Sequence, residues 1–227
     1  MKNRSGTLED RLDGNDWAPT AHTMIGMKRL DNIQFCIEEI IRYNIPGDFI
    51  ETGVWRGGAT IFMRAMLKAY NIKDRCVWVA DSFEGLPKPD CEQDAGNNLY
   101  TVRELAIPLN EVKRNFTNYD LLDDQVCFLE GWFKDTLPSA PIDKLALLRL
   151  DGDMYGSTMD ALENLYYKLS VGGYIIIDDY GVMEGCKNAV HDFRMENGIT
   201  EEIIRIDHSG VYWQRLEAPR STKGGSP

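Results

Sequence analysis

Five short apolar runs recur along this chain, interleaved with segments of helical spacing, and this alternation constrains the fold more than any other feature. "DFIET" precedes "ATIFMRAMLKAY", and "CVWVADSF" precedes "LNEVKRNFTNY" after a polar stretch over residues 84–100 that reads as a long surface loop. "QVCFLEGWF" follows. "KLALLRLD" then leads into "TMDALENLYYKL", and after the turn "SVGG" the run "YIIIDD" leads into a helix around "GCKNAVHDFRMEN". Strands alternating with helices imply an α/β fold with a parallel sheet covered on both faces. The nearly unbroken apolar character of residues 145–150 suits a strand buried on both sides. Upstream, residues 23–43 place Met24, Met27, Leu30, Ile33, Ile37, Ile40 and Ile41 on one helical face, and Pro46-Gly47 ends that helix. Near the other end, "EEIIRID" and "GVYWQRL" flank His208-Ser209-Gly210 and predict a β-hairpin. One domain over 21–216 is expected, with a flexible segment over 1–20 and a low-complexity, disordered tail over 217–227.

Ligands of such sheets bind at the carboxyl ends of the strands, and four of the five apolar runs end there in acids: Glu51, Asp81, Asp151, and Asp178 with Asp179. The formal net charge of −11 disfavours nucleic acid and anionic membrane surfaces as partners. No apolar run approaches the roughly 20 residues that span a bilayer, and the first residues lack the apolar core of a secretory signal. The five cysteines show no metal-type spacing and read as reduced thiols, so a cytoplasmic protein is expected.

The first strand runs into "ETGVWRGGAT", where Gly53, Gly57 and Gly58 permit a tight turn and close approach of backbone to a ligand. The spacing is not that of a dinucleotide fingerprint, and no phosphate-binding lysine follows. Asp81 at the end of the second strand suits the two hydroxyls of a ribose, whereas Glu51 suits an amine. A nucleoside that carries an ammonium and no phosphate fits both: S-adenosylmethionine. The competing reading is turn glycines plus a helix-capping acid.

Asp151, Asp178 and Asp179 converge if the fourth and fifth strands are neighbours, and three such carboxylates raise one another's pKa unless neutralised. A hard divalent cation resolves the conflict, and an all-oxygen set favours Mg²⁺. Such a cation acidifies a ligated hydroxyl, and Asp153, two residues beyond Asp151, is placed to take the proton as general base. The competing reading has Asp153 and Ser157 capping the next helix.

The stretches "IETGVWRGGA", "VWVADSFEGLP", "GWFKDTLP", "LRLDGDMYGSTMDALENLY" and "GGYIIIDDYG" resemble the macrocin O-methyltransferase (TylF-type) family over nearly all of residues 17–215. The resemblance implies a class I, Rossmann-like methyltransferase with a mostly parallel seven-stranded sheet and an N-terminal helical lid. It implies O-methylation of a hydroxyl-bearing small molecule, a sugar of a glycosylated antibiotic or a polyketide or peptide hydroxyl, with S-adenosylmethionine and Mg²⁺. It further implies a metal at Asp151, Asp178 and Asp179, Asp153 as base, and a cofactor site drawing on Thr23 and Met24 of the covering segment. Thr52, Ser82, Gly131 and Trp132, in the strand-end motifs, join Glu51, Gly53 and Asp81 in that site. Gly156 stands where an acid is expected. Self-association and docking on a biosynthetic assembly line stay open.

Two alternatives remain. "DGD" also resembles the D-x-D of metal-dependent glycosyltransferases, and a cofactor-binding scaffold without activity would keep the same fold. His22, His191 and His208 are isolated along the sequence, and Trp55 and Trp132 suit either an adenine wall or core packing.

Overall fold

The computed structural model describes residues 6–16 and 20–216. Its strands are β1 (Asp48–Thr52), β2 (Val77–Asp81), β3 (Val126–Glu130), β4 (Leu145–Leu150), β5 (Leu169–Ile177), β6 (Ile204–Arg205) and β7 (Val211–Gln214). The helices are α1 (Leu8–Leu12), α2 (Gly26–Arg42), α3 (Gly58–Ala69), α4 (Leu109–Asn118), α5 (Phe133–Thr136), α6 (Tyr155–Leu165) and α7 (Glu184–Glu196). The sheet order is β3-β2-β1-β4-β5-β7-β6, parallel except for β7, which runs antiparallel to β5 and β6. This is the seven-stranded, Rossmann-like class I arrangement, closed by the expected hairpin.

Both faces of β4 are buried, and every residue from Leu145 to Leu150 is covered. Leu148 and Leu150 meet Ala161, Leu162 and Val190 of α6 and α7, whereas Ala146 and Leu147 meet Ile33, Ile37 and Met63 of α2 and α3. Each fully buried aliphatic side chain of this kind contributes about 1.5–3 kcal/mol. The buried face of α2 is turned relative to the expected one: Arg29, Asn32, Ile33, Cys36, Ile37 and Ile40 are covered, while Met27 is exposed.

Three local differences from the sequence reading have physical causes. "SVGG" is not a turn before β5 but a bulge within it, since Leu145 pairs with Leu169 and Leu147 already with Tyr174. Gly172 supplies the positive φ of 88° that such a bulge requires. The polar loop after β2 contains three short 3₁₀ turns, Glu92–Asp94, Leu99–Thr101 and Arg103–Leu105. Within the N-terminal segment expected to be flexible, α1 is closed by a capping box between Thr7 and Asp10; the expected tail over 217–227 lies outside the described residues. Among the described residues no helix is long and apolar enough to cross a membrane.

Strand order reverses between β1 and β4, and this switch point is where an open α/β sheet forms its ligand crevice.

Candidate active site

A cavity of about 330 Å³ opens at the carboxyl ends of the central strands. Thr23, Met24, Glu51, Gly53, Asp81, Ser82, Trp132, Asp151, Asp153, Asp178 and Asp179 all line it. Thr52 and Gly131 do not line it. Thr52 alternates with Glu51 along β1 and is fully buried, while the Gly131 amide donates to the Asp81 carbonyl (2.9 Å). Gly53 must be glycine: its φ is 85°, and a Cβ would collide with the carbonyl oxygen of Asp151.

On one side of the cavity Asp81 is held by backbone amides, Val54 donating to Oδ2 and Phe83 to Oδ1, each at 2.7 Å, with the Trp55 amide beside them. Burial pushes its carboxyl above the usual range, and these amides pull it back. Glu51 is 2% exposed, and its Oε2 has no hydrogen-bond partner among the described residues. Burial raises its carboxyl to about 8 against the pull of Arg149. An orphaned buried oxygen beside a fixed carboxylate fits a ligand that brings both an ammonium and hydroxyls. Residues 21–23 are strapped over this side: His22 O accepts from the Gly58 amide (2.8 Å), and Ala21 O accepts from Arg56 Nη1 (3.0 Å).

The acidic side is dense. Asp151, Asp178 and Asp179 each offer a carboxylate oxygen, all within 4.8 Å of one another. Two arginines that sequence reasoning missed reach into this group. Fully buried Arg149 donates through Nη1 to Glu51 Oε1 and Asp151 Oδ2 (2.8 Å), and through Nη2 to Asp178 Oδ1. Arg29 donates to the other oxygen of Asp178 and to Asp207 Oδ2 (3.0 Å). The positive charge beside Asp151 is therefore in part Arg149, whose signal was an arginine inside "LALLRL". Arg29 left no such signal, because an arginine on an amphipathic helix reads as solvent-facing.

Two guanidiniums still leave the site short of positive charge, facing Glu51, Asp151, Asp153, Asp178, Asp179 and Asp207. Burial first, then repulsion from Asp153, Asp151 and Asp178, pushes Asp179 well above the carboxylate range. Burial raises Asp178 to about 6, with Arg149 and Arg29 opposing. Burial together with Asp151 and Asp178 raises Asp153 to about 7. A hard dication on the oxygens of Asp151, Asp178 and Asp179 fits this deficit, since a carboxylate oxygen that accepts one hydrogen bond keeps a further lone pair.

Asp153 does not continue β4. Its φ is 58°, its amide donates to Asp179 Oδ2 (3.0 Å), and the Met154 amide turns back to the Gly152 carbonyl (2.5 Å). The extended path from Asp151 to Asp153 that the spacing suggested is replaced by a tight turn, which folds Asp153 back against Asp179. Nor does Asp153 cap α6. That role belongs to Asp94, whose carboxylate accepts from the Tyr155 amide (2.8 Å) and the Gly156 amide (2.9 Å). Of the histidines, His22 pairs with the Tyr119 hydroxyl (3.0 Å) and His191 with that of Tyr180 (2.7 Å), while exposed His208 lines the cavity. Trp55 and Trp132 both line it as well.

Comparison with known proteins is decisive at this point. The family model described as macrocin-O-methyltransferase (TylF) matches residues 1–215. The chain belongs to that family. It is 57% identical over 211 residues to demethyldecarbamoylnovobiocin O-methyltransferase of Streptomyces niveus, covering 91% of this chain and 80% of that protein. It is 56% identical over 213 residues to mycinamicin III 3''-O-methyltransferase of Micromonospora griseorubida, covering 91% and 84%. The solved structure of the O-methyltransferase NovP matches with a TM-score of 0.91 at 56% identity, covering 93% of this chain and 89% of that one. Membership in this family makes the activity class O-methyl transfer and sets aside the D-x-D glycosyltransferase reading.

Proposed function

We propose that the protein transfers a methyl group from S-adenosylmethionine to a hydroxyl of a glycosylated antibiotic or related natural product, with Mg²⁺ bound by Asp151, Asp178 and Asp179. The observation that carries this reading is the meeting, in one cavity at the β1–β4 switch point, of Glu51 and Asp81 with the carboxylate cluster of Asp151, Asp178 and Asp179. The names of the relatives, which act on novobiocin- and mycinamicin-type compounds, support the acceptor class. When bound, S-adenosylmethionine supplies the electrophilic methyl, and Mg²⁺ supplies the positive field that orients and acidifies the accepting hydroxyl.

The chain does the rest. Glu51 Oε2 accepts from the donor's ammonium, and Asp81 accepts from the ribose hydroxyls. Thr23 and Met24 close over the donor and exclude water. The Asp153 carboxylate, folded back against Asp179 at the cavity wall, takes the hydroxyl proton. The sulfonium charge is lost as the proton is gained, so the cavity ends with no extra net charge.

The test is methyl transfer from labelled S-adenosylmethionine to a panel of glycosylated and polyketide hydroxyl compounds, run with MgCl₂ and with EDTA. Labelled ether formed only with the metal supports the reading. Full turnover in EDTA overturns the metal assignment, and an absence of transfer to any hydroxyl compound in the panel overturns the acceptor class.

A further inference from the structure

A fully buried arginine in a strand of leucines is costly unless its charge is used. Arg149 is the one charged residue of β4, and its side chain has no solvent exposure. Its Nη1 is forked between Glu51 Oε1 and Asp151 Oδ2, its Nη2 bonds Asp178 Oδ1, and its Nε has no acceptor among the described residues. One rigid, planar group thus joins the carboxylate assigned to the methyl donor with two carboxylates assigned to the cation.

We propose that Arg149 is a positioning residue that makes the methyl-donor site and the divalent-cation site bind cooperatively. This rests on the assignment of those two sites given above. Nη1 gives one of its two N–H bonds to Glu51 and the other to Asp151, so the single positive charge of the guanidinium is shared among three carboxylates. A cation that neutralises Asp151 and Asp178 weakens their hold on Arg149 and leaves more of its charge to Glu51, fixing Oε1 and holding the unpartnered Oε2 toward the donor's ammonium. The ordering of Glu51 is then complete before the donor arrives, which is positive cooperativity without a large structural change. By linkage, the donor must tighten the cation by the same factor. A lysine at this position keeps the charge, but its single ammonium cannot span three carboxylates as the guanidinium does.

Calorimetric titration of S-adenosylhomocysteine tests this, since the product binds without turnover. Wild-type protein is titrated in saturating MgCl₂ and in EDTA, alongside Arg149→Lys. The wild type should bind at least about fivefold tighter with Mg²⁺, and the ratio should fall to near one in Arg149→Lys with its circular dichroism unchanged. A merely structural arginine would weaken binding equally in both buffers and keep the ratio, which overturns the proposal. A wild-type ratio of one, with Mg²⁺ binding seen in its own titration, overturns the coupling alone. Absence of Mg²⁺ binding overturns the cation assignment and the coupling with it. Should Arg149→Lys fail to fold, Glu51→Ala removes the acceptor of Nη1 at the donor end. It should bind more weakly in both buffers with a ratio near one, and a retained ratio overturns the proposal.

Discussion

Asp153 holds a left-handed backbone conformation that only Gly, Asn and Asp adopt readily, and its amide is tied to Asp179. Asn therefore preserves both the turn and the shape while removing basicity. Asp153→Asn should lower kcat by about 10²–10⁴-fold while S-adenosylhomocysteine affinity, read by calorimetry, stays within twofold or so of wild type. Retained turnover would send the proton elsewhere. Asp81 supports a separate expectation. Backbone amides hold its carboxylate at the cavity wall, so Asp81→Ala should weaken S-adenosylhomocysteine binding by about 1.5–3 kcal/mol through loss of charge-assisted bonds. Unchanged affinity would remove Asp81 from the ribose site. The acids were legible in the sequence because each ends an apolar run, so strand geometry alone delivers them to one edge. Their cationic partners were not: Arg29 comes from a helix whose buried face is set by packing on the sheet, and Arg149 needed a partner 98 residues away in Glu51 to explain it.

At the scale of elements, strands were read almost to the residue where apolar runs are continuous, as in β1 and β4, and misread where backbone chemistry decides. In β5 two glycines in succession suit a turn and a bulge alike, and the pairing with β4 decides for the bulge. Helix α6 begins at Tyr155, three residues before the expected Thr158, because its first amides are capped by Asp94 from the distant loop. No local rule could supply a cap 61 residues away. That loop also forms a wall of the cavity through Leu86, Pro87, Asp90 and Leu99, so one carboxylate joins helix, loop and site. Asp94→Ala should cost about 0.5–2 kcal/mol as a lost cap, read as a fall in Tm of roughly 1–8 °C. An unchanged Tm would show that the helix start is held by other contacts. The same geometry accounts for Gly156. A Cβ there would lie 3.5 Å from Asp94 Oδ2 and 3.6 Å from Asp90 Oδ1, so Ala fits, whereas an acid would add a third carboxylate to two.

For the whole molecule, the fold carries a site that its own charges do not balance. Burial and mutual repulsion hold Asp179 well above the carboxylate range, and neither Arg149 nor Arg29 donates to it. Such a cluster weakens the folded state, a common cost of function that the proposed cation would offset. Mass action then predicts that Mg²⁺ at a hundred times its Kd adds about 2.7 kcal/mol, a rise of roughly 5–10 °C in Tm for a domain of this size. Asp179→Asn separates this from nonspecific salt. The amide can still accept the Asp153 N–H bond through its oxygen, so geometry survives while one buried negative charge is removed. The variant should melt higher than metal-free wild type, by about 0.5–2 kcal/mol, and should lose the Mg²⁺-dependent rise together with activity. Calorimetric melts of both proteins in EDTA and in MgCl₂ decide the matter. An Asn variant that melts lower in EDTA would mean that Asp179 is stabilising in its own right, and one that keeps the full Mg²⁺ shift would place the cation elsewhere.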